Sequence, residues 1–125
     1  NLTAPFMLTK ACLELLYKSP DASVVFTSSG VGRKARAYWG AYSVSKFGIE
    51  ALSTTLADET EFRKTLRVNS INPGPVRTEM RRLAFPAEDR EQLATPESIL
   101  ATYLYLLGPD SQGVTGQQFD AQRPG

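Results

Sequence analysis

The 125-residue sequence predicts an α/β fold, a parallel sheet covered by helices. Three observations carry that prediction. Segments with helical apolar spacing alternate with short β-rich runs, in the order helix–strand–helix–strand–helix–strand, which is the order that crossover connections produce. The first strand run lacks the in–out alternation of a sheet with one wet face and so reads as covered on both sides. The two clearer runs end in turn-forming clusters, Thr27-Ser28-Ser29-Gly30 and Asn72-Pro73-Gly74-Pro75, at the strand ends where open α/β sheets place their ligands.

Taken in order, Leu2 to Tyr17 carries Leu2, Phe6, Met7, Leu8, Leu13, Leu15 and Leu16, apolar on nearly every face. Such a helix is expected to be buried on several sides or to pack against a partner chain. Ser19-Pro20-Asp21 ends it. Ser23 to Thr27 is the first strand. From Ala41 to Phe62 the pattern is helical, with Val44, Phe47, Gly48, Ala51, Leu52 and Leu56 at three- and four-residue spacings. Leu66 to Asn72 is the second strand, stopped by two prolines around a glycine. Thr78 to Ala94 is charged and irregular, with room for two or three short helical turns. Thr95-Pro96-Glu97 opens the third helix: a hydroxyl cap, proline at the first helical position and an acid in the first turn. That helix runs to Leu107 and stops at Gly108-Pro109. Val114 to Ala121 is the expected last strand.

Length bounds the chain to a single domain, residues 1–125. Three strands make a thin sheet with exposed edges. The chain also opens on Asn1-Leu2-Thr3-Ala4-Pro5-Phe6, without Met, so it is expected to be the later part of a longer protein. Fourteen basic against thirteen acidic side chains leave a net charge of +1, so nothing calls for nucleic acid or an anionic membrane as partner. With no His, imidazole metal sites and a Ser/His/Asp triad are excluded. The single cysteine, Cys12, cannot form an internal disulfide, and no apolar run reaches membrane-spanning length. A cytoplasmic setting is the expectation.

Two motifs compete for attention. Gly30-Val31-Gly32-Arg33-Lys34-Ala35 matches the G-x-G-x-x-A pattern of a phosphate cradle. That device needs its last small residue to open a helix, whereas here a loop containing Trp39-Gly40 intervenes, so a flexible loop is the preferred reading. Arg33, Lys34 and Arg36 read as its solvated charges. Tyr42 and Lys46, by contrast, stand at i and i+4 and share one helix face. Alone the pair is a weak signal. Its weight comes from Ser29, thirteen residues earlier at the carboxyl end of the first strand, and from Pro73-Gly74-Pro75-Val76-Arg77-Thr78 at the end of the second.

Together these residues resemble the short-chain dehydrogenase/reductase family, whose hallmark is Y-x-x-x-K after a strand-end serine: here Ser29, then Tyr42-Ser43-Val44-Ser45-Lys46. The likeness continues through RVNSINPG at Arg67–Gly74, P-G-x-x-x-T at Pro73–Thr78 and Val114-Thr115-Gly116-Gln117. At the front, the Asn1–Phe6 segment resembles the family's N-x-x-x-x-F helix. Within the family, FTSSGVGR, WGAY and the FDAQ ending mark a bacterial subgroup, and Asp120-Ala121-Gln122 departs from the more usual D-G-G. The family's T-G-x-x-x-G-x-G loop and N-N-A-G segment are absent from this sequence. The resemblance therefore implies the later half of a Rossmann-type, doubly wound parallel sheet, and leaves NAD and NADP undistinguished.

It also implies hydride transfer between a nicotinamide ring and a carbonyl or alcohol carbon of a small-molecule substrate. Asn1, Ser29, Tyr42 and Lys46 would be catalytic, and Tyr42, Lys46, Pro73, Gly74, Val76 and Thr78 would bind the cofactor. Free tyrosine, with a pKa of about 10, is too weak a base at neutral pH. An ammonium about 6 Å from a phenolate oxygen, at an effective dielectric near 20, favours the phenolate by roughly 2.8 kcal/mol. Lys46 is expected to play that part for Tyr42. Ser29 would donate to the substrate oxygen, Asn1 would hold a water behind Lys46, and Val76 with Thr78 would position the carboxamide. By the same analogy, the first and the Tyr-bearing helices would pair in a homodimer or homotetramer. Each residue also has a plainer use: Ser29 as a strand-end cap, Asn1 as a helix N-cap, Thr78 as a turn residue. The competing functions are a non-catalytic α/β fragment or interaction module, and, behind it, a nucleotide-binding regulator using Gly30 and Gly32.

Overall fold

A computed structural model describes residues 1–122. The elements follow the expected alternation: α1 (Thr3–Lys18), β1 (Ala22–Thr27), α2 (Gly40–Glu59), β2 (Leu66–Asn72), α3 (Glu79–Ala84), α4 (Leu100–Leu107) and β3 (Gln118–Asp120). The three strands form one parallel sheet in the order β1-β2-β3. β1 pairs with β2 from Ala22↔Leu66 to Thr27↔Ile71, and β2 pairs with β3 from Ser70↔Gln118 to Asn72↔Asp120. The carboxyl ends of all three strands thus lie along one side of the sheet.

β2 is the centre of the molecule. Val68, Asn69, Ser70 and Ile71 have no exposed surface, the state expected of a strand covered on both faces. Val68 packs with Ala22, Phe26, Ile49, Leu56, Ala57 and Leu66, and Leu13, Leu16 and Tyr17 of α1, with its N-cap residue Leu2, add to the margin. Full burial of a side chain such as Ile71 or Val68 contributes about 1.5–3 kcal/mol. Arg67, only 4 % exposed, enters the strand because every nitrogen is used. It pairs with Asp21 and donates to Ser111 Oγ at 2.9 Å and to the Gly108 carbonyl at 2.6 Å. Buried charges persist only with such partners.

The structure narrows one expectation, leaving α1 the alternative of packing against a partner chain, and three further details differ from the sequence reading. α1 buries none of its residues fully: Phe6, Met7, Leu8 and Leu15 are 49–69 % exposed, and only one stripe meets the core. In α2 the buried face is Ser43, Ile49, Glu50, Ser53, Leu56 and Ala57, whereas Val44 and Phe47 of the apolar series are exposed. Of the small polar residues on this face, Ser43 bonds to what lies beneath it: its Oγ donates to the Val31 carbonyl, in the turn after β1, at 2.7 Å. The third helix begins as a 3-10 turn, Pro96–Ile99, before α4; the Thr95 hydroxyl accepts from Ser98 N as expected of a cap.

The last strand is the third difference. It covers three residues, not Val114 to Ala121, because residues before Gln118 follow β2 through an irregular mix of backbone and side-chain bonds: Gly116 N donates to the Val68 carbonyl at 2.7 Å and the Gln117 carbonyl accepts from Ser70 N at 3.0 Å. Thr115 Oγ1 accepts from Val68 N, Asn69 Nδ2 donates to the Val114 carbonyl, and Asn69 Oδ1 accepts from Gln117 N. Gly116 holds φ +71°, outside the extended region, and so breaks the regular strand conformation just before β3.

Candidate active site

The carboxyl end of β1 positions the serines. Ser28 N donates to the Ile71 carbonyl at 2.7 Å, so the ladder continues one residue past β1. Alternation then turns the neighbours opposite ways. Ser28 is 2 % exposed, whereas Ser29 is half-buried. Ser29 has extended backbone (φ −159°, ψ 160°) and opens the 3-10 turn Gly30–Gly32, its carbonyl accepting from Gly32 N at 2.9 Å. Its hydroxyl caps no backbone N–H of that turn, so the strand-end cap is not its use.

The glycines of this turn are packing devices. A Cβ on Gly32 would lie 2.8 Å from Ser28 Oγ and 2.9 Å from both the carbonyl carbon and Cβ of Lys46. The loop therefore sits directly on the Lys46 segment of α2. Ala35 opens no helix; α2 begins at Gly40, in agreement with the rejection of the phosphate cradle. The solvated reading of Arg33 is overturned. Its Nε donates to Glu50 at 3.2 Å, Nη1 to Asp120 at 2.8 Å and Nη2 to the Phe119 carbonyl at 3.0 Å, tying the serine turn to α2 and β3.

Tyr42 and Lys46 occupy the first two turns of α2, both half-buried. Lys46 Nζ lies 5.6 Å from the centroid of the Tyr42 ring and donates to the Thr27 carbonyl at 3.1 Å. The ammonium is thereby held between the tyrosine and the end of β1. Burial pushes its pKa below the ordinary lysine value, since loss of water disfavours the charged form. Asn1 is exposed but lines, with Lys46, Thr27 and Phe26, one groove of about 800 Å³ between α1 and β1. Asn1 is not the N-cap of α1; Leu2 occupies that position.

On the other side of Tyr42, Trp39 meets its ring edge-on at 5.8 Å and stacks on Phe85 at 5.8 Å. The Arg81 guanidinium lies 3.8 Å from the Phe85 centroid and is paired with Glu88. The segment after β2 thus reaches back to the start of α2. Thr78 caps α3, its hydroxyl accepting from Arg81 N at 3.1 Å, and Val76 bridges in parallel to Ala94. Gly74 holds φ +73°, a conformation that favours glycine, and donates its N–H to Asn72 Oδ1.

Beneath these groups lies Glu50, 6 % exposed, a residue that sequence reasoning passed over. Burial raises its pKa, but the surrounding donors outweigh burial and hold it below the usual carboxylate range. Ser70 Oγ donates at 2.7 Å, Gln118 Nε2 at 2.8 Å, and the Arg33 charge adds to both. Ser28 Oγ also faces this carboxylate, although it meets no partner at ordinary hydrogen-bond geometry. A charged residue between Ile49 and Ala51 in a packing helix was the signal available in the sequence.

The fold is that of an open α/β protein with a parallel sheet, and these polar groups lie at the carboxyl ends of its strands, where such sheets place their ligands. Residues 1–89 match the sequence profile described as short chain dehydrogenase, and the chain belongs to that family. It is 56 % identical, over 98 % of its length, to the oxidoreductase YciK of Escherichia coli K12, and 29 % identical over 94 % to human dehydrogenase/reductase SDR family member 4. A short chain dehydrogenase of E. coli CFT073 solved with NADPH matches with a TM-score of 0.91 at 56 % identity, over 97 % of this chain and 50 % of that one. A Shigella flexneri 2a homologue solved with NADP matches with a TM-score of 0.90. The chain spans about half the length of the curated relatives it matches (48 % of YciK). Among the described residues, no helix is long and apolar enough to cross a membrane.

Proposed function

We propose that this chain carries the catalytic half of an NAD(P)-dependent short-chain oxidoreductase, acting on a small-molecule carbonyl or alcohol through Ser29, Tyr42 and Lys46, with Asn1 in support. One observation carries the reading: the Lys46 ammonium is fixed between the Tyr42 ring and the Thr27 carbonyl, two residues from Ser29. The family membership, and the NADPH and NADP in the solved relatives, support the cofactor class.

The residues present fit a nicotinamide nucleotide. Lys46 spends one of three N–H donors on Thr27, which leaves two for ribose hydroxyls. The glycine-containing turn Pro73–Pro75 and Thr78, the cap of α3, follow the carboxyl end of β2. When bound, the nicotinamide supplies or accepts the hydride. The chain's own work is protonic. Tyr42 gives or takes the substrate proton at its phenol oxygen, and Lys46 keeps positive charge beside it in a partly dehydrated setting, where Coulomb interactions are stronger than in bulk water. Ser29 donates to the substrate oxygen. Asn1, at the far side of Lys46, holds water for proton exchange. Val76 and Thr78 present the amide-binding edge. The exposed apolar residues Phe6, Met7 and Leu8 of α1 and Val44 and Phe47 of α2 support a homodimer or homotetramer.

Tyr42→Phe in the full-length polypeptide is expected to abolish turnover with NADH or NADPH while cofactor binding persists. Turnover above a few per cent of the parent would refute the role of Tyr42. A non-catalytic α/β module is the second reading, favoured by the half-length coverage. Titration of the 125-residue chain with NADH and NADPH, followed by cofactor fluorescence, separates the two: tight binding contradicts the module.

A further inference from the structure

We propose that Gln122 is the positioning residue of the Pro73–Thr78 loop, and through it of the nicotinamide end of the bound cofactor; this rests on the oxidoreductase reading above. The loop has an unusual hydrogen-bonding problem. Proline has no backbone N–H, so two of the three residues after β2 cannot donate. Gly74 spends its own N–H on Asn72 Oδ1 at 3.0 Å. The turn Pro73-Gly74-Pro75 thus presents carbonyls and no donor of its own to hold them.

One side chain answers both. Gln122 Nε2 donates to the Pro73 carbonyl at 2.9 Å and to the Pro75 carbonyl at 2.7 Å. An amide nitrogen has two hydrogens, and here both are used on acceptors that flank one residue. Two carbonyl partners also fix which end of the amide faces the turn. Gly74 makes room for the fork: at φ +73°, a Cβ there would lie 2.8 Å from Gln122 Nε2 and 3.1 Å from its Cδ. Loop and side chain are fitted to each other.

The base of the fork is anchored in the same crevice. Ala121 N donates to the Asn72 carbonyl at 2.9 Å. Asp120 Oδ1 accepts from Asn72 Nδ2 at 3.0 Å and from Arg33 Nη1 at 2.8 Å. Arg33 lies four residues after Ser29 and also holds Glu50 of α2, two turns beyond Tyr42. A single chain of bonds therefore runs from the serine turn through β3 to the loop after β2. Removal of the fork frees the loop without touching Ser29, Tyr42 or Lys46. Its effect is expected on nicotinamide affinity more than on the chemical step.

The test uses the full-length polypeptide with Gln122→Glu and Gln122→Ala. The glutamate keeps the shape but offers only oxygens to two carbonyl oxygens; the alanine removes the contact without repulsion. With two hydrogen bonds lost, KM and Kd for the reduced nicotinamide cofactor are expected to rise about tenfold, more for Glu than for Ala, while kcat falls no more than about threefold. Reduced nicotinamide mononucleotide should bind correspondingly more weakly to both variants, and ADP as it does to the parent. That contrast does not follow from a general loss of stability, and if the glutamate variant fails to fold the alanine variant decides. Parent-like affinity for reduced nicotinamide mononucleotide in a folded variant overturns the inference. So does equal weakening of ADP. If the parent binds no cofactor, or Tyr42→Phe leaves turnover intact, the oxidoreductase reading falls and this inference with it. A dead Tyr42→Phe beside parent-like Gln122 variants sinks the inference alone.

Discussion

Glu50→Ala is the substitution whose cost the structure specifies most fully. The carboxylate is 6 % exposed and accepts from Ser70, Gln118 and Arg33. Its removal strands Ser70 Oγ, which has no exposed surface, at a cost of about 1–3 kcal/mol. It also opens space in a packed seam between helix and sheet. Breaking a buried ion pair outright costs about 3–5 kcal/mol because a charge is left alone. Arg33 is not left alone, since Asp120 and the Phe119 carbonyl still hold it. The expected loss is therefore about 3 kcal/mol, at the low end of that range. Glu50→Gln keeps the volume and one acceptor oxygen, so about 1–2 kcal/mol is expected. Urea unfolding at neutral pH reads both. With a urea slope near 2 kcal/mol per molar, the alanine midpoint should fall by about 1.5 M and the glutamine midpoint by under 1 M. An alanine midpoint within about 0.3 M of the parent, or a glutamine variant as weak as the alanine one, would refute the account of a carboxylate held by its donors.

Two further outcomes follow from the same region. Gly32→Ala drives a methyl group into Ser28 and the backbone of Lys46, and is expected to cost about 1–3 kcal/mol in urea unfolding, with reduced turnover; a variant as stable as the parent would deny the close approach. The Glu50 carboxyl titrates below its ordinary 4.5, so its stabilisation is complete above that value and is lost as pH falls through the lower folded value. Urea midpoints taken from about pH 6 down to pH 3 should accordingly fall less steeply in Glu50→Gln than in the parent, and parallel curves would contradict this.

Local chemistry made much of the fold legible. Leu66–Asn72 is a strand at the bounds its β-branched pattern and the following Pro-Gly-Pro assign. Thr95 caps where a hydroxyl before Pro96 should. What escaped was set by partners distant in sequence. Arg33 looks like a loop charge until Glu50 and Asp120 are brought to it, 17 and 87 residues away. Leu56 of the apolar series is buried, but Val44 and Phe47 are not, because the buried side of α2 mixes Ile49, Leu56 and Ala57 with two serines and a glutamate, of which Ser43 and Glu50 are held by partners distant in sequence. β3 came out shorter because Thr115 and Asn69 interleave side-chain bonds with the backbone bonds of Gly116 and Gln117, so no regular ladder forms before Gln118. In the candidate site, the i, i+4 spacing placed Tyr42 and Lys46 on one face before any fold was known, whereas Gln122 showed only as a departure from the more usual D-G-G, with nothing to say what it would bond.

The two adjacent serines after β1 carry a further consequence. One hydroxyl is folded into the seam near Glu50 and the other remains accessible, and only the two-residue rhythm of extended backbone tells them apart. Their roles are thus assigned by counting, not by chemistry. A one-residue insertion or deletion between Phe26 and Ser28 would exchange the pair, hiding the accessible oxygen and exposing its neighbour, with no change in what the segment is made of. Length in that short stretch is as strict a requirement as identity.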